Sequence, residues 1–308
     1  MNRIVECVPN FSEGRRTETV ERLCAVIESV ESAVVLGTHV DTDHNRSVIT
    51  FVASPENIVE AAVSVVALAS QLIDLREHAG VHPRLGATDV LPFVPVRGVT
   101  LAECAGLAHE AGERIAGELG IPVYFYEQAA LRPDRVKLEN VRRRGFEELR
   151  QLIGSDPERN PDAGALRLHE TAGAIAIGAR PFLIAFNVNL RTADISVAKE
   201  IARAVRTRDG GLPAVKALGF ELKSRGIVQV SMNLVNYEIT GMTQAFLAVR
   251  REAMLRGVEI AGTEIVGLVP EAALDKNAEY FPLLENFSEG TVLENRLKAR
   301  EQQFDNPI

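Results

Sequence analysis

The chain has 308 residues, 34 Lys and Arg against 42 Asp and Glu for a net charge of −8, 46% apolar and 25% charged residues, three Cys and no Trp. These figures describe an ordinary globular chain, long enough for two domains of about 150 residues each, and the acidic balance excludes the basic footprint of a nucleic-acid binder. Cys7, Cys24 and Cys104 are widely spaced and form no Cys-x-x-Cys pair, which points to thiols in a reducing compartment rather than a disulfide framework or a zinc cage. The first residues hold no long apolar run, and the most apolar stretch, 58–73, is interrupted by Glu60. Neither a secretory signal nor a membrane span is expected, and the chain reads as cytoplasmic.

Hydrophobic period and punctuation divide the chain. An apolar run over 3–8 that stops at Pro9 predicts a strand, and Val20, Leu23, Cys24, Ile27 and Val30 at helical spacing predict a helix over 17–30. Strands are expected at 33–39 and at 46–53, the second rich in β-branched residues. Ser54-Pro reads as an N-cap with proline in the first turn of a helix reaching about Glu77. A strand over 89–96 tolerates Pro92 only at an edge or a bulge. A helix at 101–119, a strand at 122–126 and one helix over 138–153 extend this half. Residues 154–178, turn-rich and then small in composition, read as a connector. Beyond them come a strand at 182–190, a helix at 195–205, strands at 215–223 and 228–236, a helix at 242–256 and a strand at 259–269.

Both halves therefore run β-α-β-β-α-β, the split βαβ or ferredoxin-like order. GATDVLPFVP (86–95) is echoed by AGTEIVGLVP (261–270), and VPNF (8–11) by NVNL (187–190). The expectation is an α+β fold of two tandem ferredoxin-like subdomains from an internal duplication, 1–178 and 179–308, with a ligand pocket between them. A second NFSEG at 286–290 fits neither spacing and reads as chance.

Several stretches are more polar than framework requires. In VPNFSEG (8–14), Asn10 and Ser12 either cap the next helix or offer polar groups to a ligand. HVDTDHNR (39–46) packs two His, two Asp and an Arg between two strands, without structural-zinc spacing, and no metal is expected. In EHAGVHPRLGATD (77–89), His78 and His82 are four apart, but Gly80 and Pro83 oppose a helix, so a zincin pair is rejected. His82, held beside Pro83, reads instead as a positioned imidazole able to give and take a proton near neutral pH. Asp89 either orients it or merely begins the next strand. Asn187 and Asn189 share a strand face, and Asn233 and Asn236 lie on another strand. Asn is depleted in strands, so these amides bind a polar ligand or each other. No P-loop, Gly-x-Gly-x-x-Gly or Gly-x-Ser-x-Gly signature is present.

ECVPNFSEG (6–14), DHNRSV (43–48), HPRLGATD with PFVP (82–89, 92–95), GARPFLIAFNVN (178–189) and QVSMNL (229–234) together resemble the formiminotransferase domain family over nearly the whole chain. The resemblance implies two ferredoxin-like subdomains in a cytoplasmic homodimer. It implies transfer of the formimidoyl group of N-formimino-L-glutamate to tetrahydrofolate, a co-substrate, in histidine breakdown. The family's catalytic His falls on His82. Its folate loop falls on Gly164, Ala165, Leu166, Arg167, Leu168, His169, Glu170, Thr171, Ala172 and Gly173. Arg46, Arg84 and Arg180 are expected to meet substrate carboxylates, and Asn10, Asn187, Asn189 and Asn233 to hold pteridine or glutamate amides. Animal members carry Asp at the position of His39; here His39 or nearby Asp41 is expected to serve as the proton-relay partner. Animal members also continue into a cyclodeaminase domain, whereas this sequence ends at Ile308, so release of ammonia from its own product is not expected. Formyl transfer between 5-formyltetrahydrofolate and glutamate, and a non-catalytic folate binder, are the alternatives.

Overall fold

The computed structural model describes residues 3–42, 45–78, 84–143, 145–285 and 287–305. The chain is mixed α and β and divides into two units, 1–180 and 181–308.

The first unit holds β1 (Ile4–Cys7), β2 (Asn10–Phe11), α1 (Thr17–Glu28), β3 (Val34–Asp41), β4 (Arg46–Ala53), α2 (Ile58–Leu72), β5 (Thr88–Arg97), α3 (Leu101–Leu119), β6 (Val123–Glu127), α4 (Leu138–Val141), α5 (Gly145–Leu152) and β7 (Ile175–Ala179). Across its sheet, β3 pairs with β4, β4 with β1 and β2, these with β5, β5 with β7 and β7 with β6. The pairs up to β5 are antiparallel, and β7 lies parallel to both its neighbours. One face buries Val5, Cys7, Phe11, Phe51, Leu91 and Phe93 against the apolar stripes of α1, α2 and α3. The opposite face, at the β5–β7–β6 end, buries Val90, Ala176, Tyr124 and Tyr126 with Val141 of α4 and Leu149 of α5.

Five details differ from the sequence expectations. The strand expected at 3–8 breaks at Val8-Pro9 and resumes as β2, which puts Asn10 within the sheet. Pro92 lies in an interior strand, opposite that break, where the Val8 amide reaches its carbonyl at 3.2 Å; its missing N–H interrupts little because the ladder is already irregular there. Helix α2 starts at Ile58 rather than at Pro55, and ends at Leu72 because Ile73 is extended. The expected helix over 138–153 is two pieces, since Gly145 takes a left-handed φ of +72°. The expected connector is the largest departure: residues 175–179 form β7, buried at every position between β5 and β6.

The second unit holds β8 (Ile184–Leu190), α6 (Ile195–Val205), β9 (Val215–Leu222), β10 (Ile227–Leu234), α7 (Met242–Leu255), β11 (Ile260–Val266) and α8 (Leu293–Asp305). Its antiparallel sheet runs β11-β8-β10-β9. Phe186, Val188, Val230 and Met232 face Ile201 of α6 and Phe246 and Val249 of α7. Tyr280, from the segment after β11, is fully buried in the same core, its ring edge-on to Phe186 at 5.4 Å and its hydroxyl accepting the Asp275 amide at 3.0 Å. Among the described residues no helix is long and apolar enough to cross a membrane.

Candidate active site

In the first unit the polar stretches converge where β2, β4 and β5 meet. Asn10 pairs with Val48 of β4 and Val90 of β5, so its side chain projects from the face opposite the helices, the face shared with Arg46. Its amide nitrogen donates to the Val8 carbonyl at 2.8 Å, and its carbonyl accepts the Arg46 guanidinium. Asp41 stands opposite Arg46 across the β3–β4 register, with His39 two residues away on the same face. Burial lowers the Arg46 pKa to about 10, the nearby Arg142 charge adds to this, and Asp89 and Asp41 oppose it.

The register of β5 against β2 shifts between Asn10 and Phe11, which meet Val90 and Thr88 and leave Asp89 unpaired. An irregularity of this kind re-aims a side chain. Asp89, 3% exposed, accepts the Leu85 amide at 2.9 Å and pairs with Arg142, which sits at the break between α4 and α5. Asp89 is therefore more than the start of a strand. Arg84 reaches the His78 carbonyl at 3.2 Å and Glu147 at 3.0 Å and lies over the Phe146 ring. The His78 Nε2 meets the Asn45 carbonyl at 3.0 Å while its Nδ1 is buried with no partner among the described residues. Burial lowers the His78 pKa, and this outweighs its hydrogen bond to Asn45. Phe11, Ser12, Asn45, Arg46, His78, Arg84 and Asp89 line one small pocket, partly open to solvent. His82 lies outside the described residues.

Neither Asn10 nor Ser12 caps α1. Ser12 donates to the Gly86 carbonyl at 2.8 Å, and the helix start is held by Glu13, whose carboxylate accepts the Arg15 and Arg16 amides at 2.8 and 2.9 Å. The segment 164–173 is exposed over Gly164–Arg167 and anchored at its other end. His169 and Gly173 exchange amide hydrogen bonds of 3.0 Å, the Thr171 carbonyl accepts the Leu75 amide at 2.9 Å, and the Ala172 carbonyl accepts the Ala87 amide at 2.9 Å. The segment thus abuts 85–87, directly after Arg84. Arg180 follows β7, and its charge acts with that of Arg142 on the buried Tyr126. The Arg180 amide reaches the Phe93 carbonyl, three residues along β5 from Val90, or about 10 Å, and its charge acts on buried Glu6.

In the second unit Asn187, Asn189 and Asn233 do share one sheet face, with Asn187 and Asn189 buried and Asn233 exposed. Sequence reasoning missed their partners. Asn187 donates to Glu264 at 3.1 Å and Asn189 to Glu285 at 3.4 Å; Gln229 donates to the Asn189 carbonyl at 2.9 Å. It also missed Arg142. The echo of 86–95 in 261–270 was the available signal for Glu264, because it aligns that residue with Asp89. Among the described residues no three His, Cys, Asp or Glu side chains gather as a metal site requires.

Comparison with known proteins adds a family. Residues 4–180 match the formiminotransferase domain, N-terminal subdomain, and residues 185–300 match the formiminotransferase domain. The chain is 47% identical to a glutamate formimidoyltransferase of Thermoplasma acidophilum over 96% of this chain and 97% of that one. It is 43% identical to a glutamate formimidoyltransferase of Streptococcus pyogenes over 96% and 99%. It is 41% identical to a formimidoyltransferase-cyclodeaminase of Rattus norvegicus, over 91% of this chain and 53% of that longer protein.

Proposed function

This chain belongs to the formiminotransferase domain family, and from that premise we propose that it transfers a formimidoyl group from N-formimino-L-glutamate to N5 of tetrahydrofolate, releasing L-glutamate. The observation that carries this reading is the likeness to two glutamate formimidoyltransferases along almost their whole length.

Tetrahydrofolate enters as co-substrate. Its N5 amine attacks the formimidoyl carbon and a tetrahedral intermediate forms. One proton then leaves N5, another reaches the departing glutamate nitrogen, and the C–N bond to glutamate breaks. His82 serves first as base and then as acid, a role worth about 10²- to 10⁴-fold in rate. The flanking His78 and Arg84, which line a pocket with Arg46 and Asp89, support this assignment. Asp41, opposite Arg46, or His39 relays the proton. Arg46, Arg84 and Arg180 meet the substrate carboxylates. Asn10, Asn187, Asn189 and Asn233 hold amide and pteridine groups, and Gly164–Gly173 holds folate. Positioning two reactants together supplies a further part of the barrier reduction.

The same reading takes the chain as two ferredoxin-like halves, 1–178 and 179–308, from one duplication. In its support, β1/β2-α1-β3-β4-α2-β5 and β8-α6-β9-β10-α7-β11 share both element order and strand order. A cytoplasmic homodimer follows from the family. The test is a spectrophotometric assay of formiminoglutamate with tetrahydrofolate, run beside 5-formyltetrahydrofolate with glutamate. Product only from the first pair is expected. Product only from the second, or tight folate binding with no product from either, overturns the proposal.

A further inference from the structure

The sheet face of the second unit that points away from its helices carries two carboxylates in unlike circumstances. Glu285 is fully engaged. Arg225 forks onto it at 2.7 and 2.9 Å and Asn189 donates at 3.4 Å. It lies so close over β11 that a Cβ at Gly262 would stand 2.1 Å from its Oε1. Glu264, half-buried on the same strand, receives two amide donors among the described residues, Asn187 at 3.1 Å and Gln229 at 3.5 Å. Among the described residues no cation comes within ion-pair distance of it. Asp89, at the corresponding place in the first unit, is matched by Arg142. Four acceptor positions on a carboxylate are thus only partly used.

Beside it stands a second acceptor. Asn187 is 6% exposed, and its Oδ1 is buried with no partner among the described residues. The orientation of this amide is set by Glu264, since turning it would bring oxygen against oxygen. A buried carbonyl left unmatched is unfavourable unless a ligand supplies a donor. Beyond Ser231 and Gln229 of β10, two strand spacings or about 10 Å from Asn187, the same face becomes apolar: Leu218 and Phe220 of β9 register with Ser231 and Gln229 and face the same way.

We propose that Glu264 and Asn187, steadied by Gln229, form a receptor for an N–C–N edge bearing at least two N–H donors, packed beside an apolar ring plane. Two molecules of the proposed reaction present that chemistry: the 2-amino-N3 edge of the pterin and the formamidine of the donor. The pterin, the longer of the two, can reach from the carboxylate toward Leu218 and Phe220, which favours it. The proposal rests on the transferase reading for its ligands but on the second unit alone for its geometry.

Isothermal titration of the full chain with tetrahydrofolate and, separately, with formiminoglutamate tests it, comparing wild type with Glu264→Gln and Asn187→Ala. Losing hydrogen bonds to a charged group predicts about 10- to 100-fold weaker binding of one ligand, with the other changed less than twofold and the thermal midpoint of the Gln variant close to wild type. Loss confined to tetrahydrofolate assigns the pterin edge, and a 2-desamino folate should then bind wild type and Glu264→Gln equally. Loss confined to formiminoglutamate assigns the formamidine. Unchanged affinity for both, or equal losses of both that track a fall in stability, overturns the receptor. Should Glu264→Gln fail to fold, Asn187→Ala decides by the same criteria. A wild type that binds these ligands but transfers nothing removes the transferase reading while leaving this comparison valid; one that binds neither removes both.

Discussion

The Asp89 carboxylate joins the Arg142 guanidinium from 53 residues further along the chain, while its other oxygen accepts the Leu85 amide. This pair fastens the end of the segment that carries Arg84 to the break between α4 and α5. It also supplies the negative charge that lets Arg46 and Arg142 lie near each other, since Asp89 raises the Arg46 pKa against the effect of burial and of Arg142.

Asp89→Asn is accordingly expected to destabilise the protein by about 3–5 kcal/mol, the usual cost of leaving one partner of a buried pair uncompensated. Urea unfolding measures it. The double variant Asp89→Asn/Arg142→Met should lose less than Asp89→Asn alone, because the stranded charge is gone. A single variant with an unshifted midpoint would show the pair to be dispensable.

How far this was legible varies with the kind of information each feature needs. Strands such as β10, with alternating apolar and polar residues, announce themselves, and so does the shared face of Asn187 and Asn189, because a period of two needs no partner. Strand β7 did not, since Ile-Ala-Ile-Gly-Ala has only two β-branched residues, and its glycine is set by a ring elsewhere in the chain: a Cβ at Gly178 would stand 2.6 Å from the Tyr126 ring. Arg142 and Glu264 were invisible for another reason. What matters about each is the residue it meets, Asp89 in one case and Asn187 in the other, and that depends on register and bulges no local pattern reveals.

His82→Ala should lower turnover by about 10²-fold or more while the unfolding midpoint stays near wild type. Steady-state kinetics and thermal unfolding on the same preparation separate the two quantities. Turnover close to wild type would take His82 out of the mechanism.

Glu6 gives the stability a pH dependence. The residue is 2% exposed, and burial raises its pKa from the ordinary 4.5 to about 7, with the Arg180 charge opposing. Between those values the folded chain holds a proton that the unfolded chain has released, so this group's contribution is present in full below pH 4.5 and is lost as pH rises to about 7. Glu6→Gln removes the dependence. The variant should gain on the wild type by up to about 3 kcal/mol between those limits, read from urea midpoints in a pH series. A constant difference across the series would mean that Glu6 does not take up the proton.

Arg180→Ala should raise the KM for a carboxylate-bearing substrate more than it lowers kcat, given its proposed anion role and its place at the end of β7. If both KM values were unchanged, that role would be lost. Because Arg180 opposes the upward shift at Glu6, the same variant should also steepen the loss of stability toward pH 7, a readout independent of substrate.

Gly173 ends the segment proposed to hold folate, at a φ of +70°, where a Cβ would stand 2.4 Å from the Leu85 carbonyl and 2.7 Å from the Leu75 side chain. Gly173→Ala meets a strained backbone and a clash with main chain that cannot swing aside, and should destabilise by at least about 1–2 kcal/mol. Relief requires the segment to move off 85–87, which loosens the Ala87–Ala172 hydrogen bond and shifts 164–173 relative to Arg84. The expected kinetic result is a raised KM for tetrahydrofolate with a smaller change in the KM for formiminoglutamate. A destabilised variant with both KM values intact would mean that 164–173 holds the fold together without touching folate.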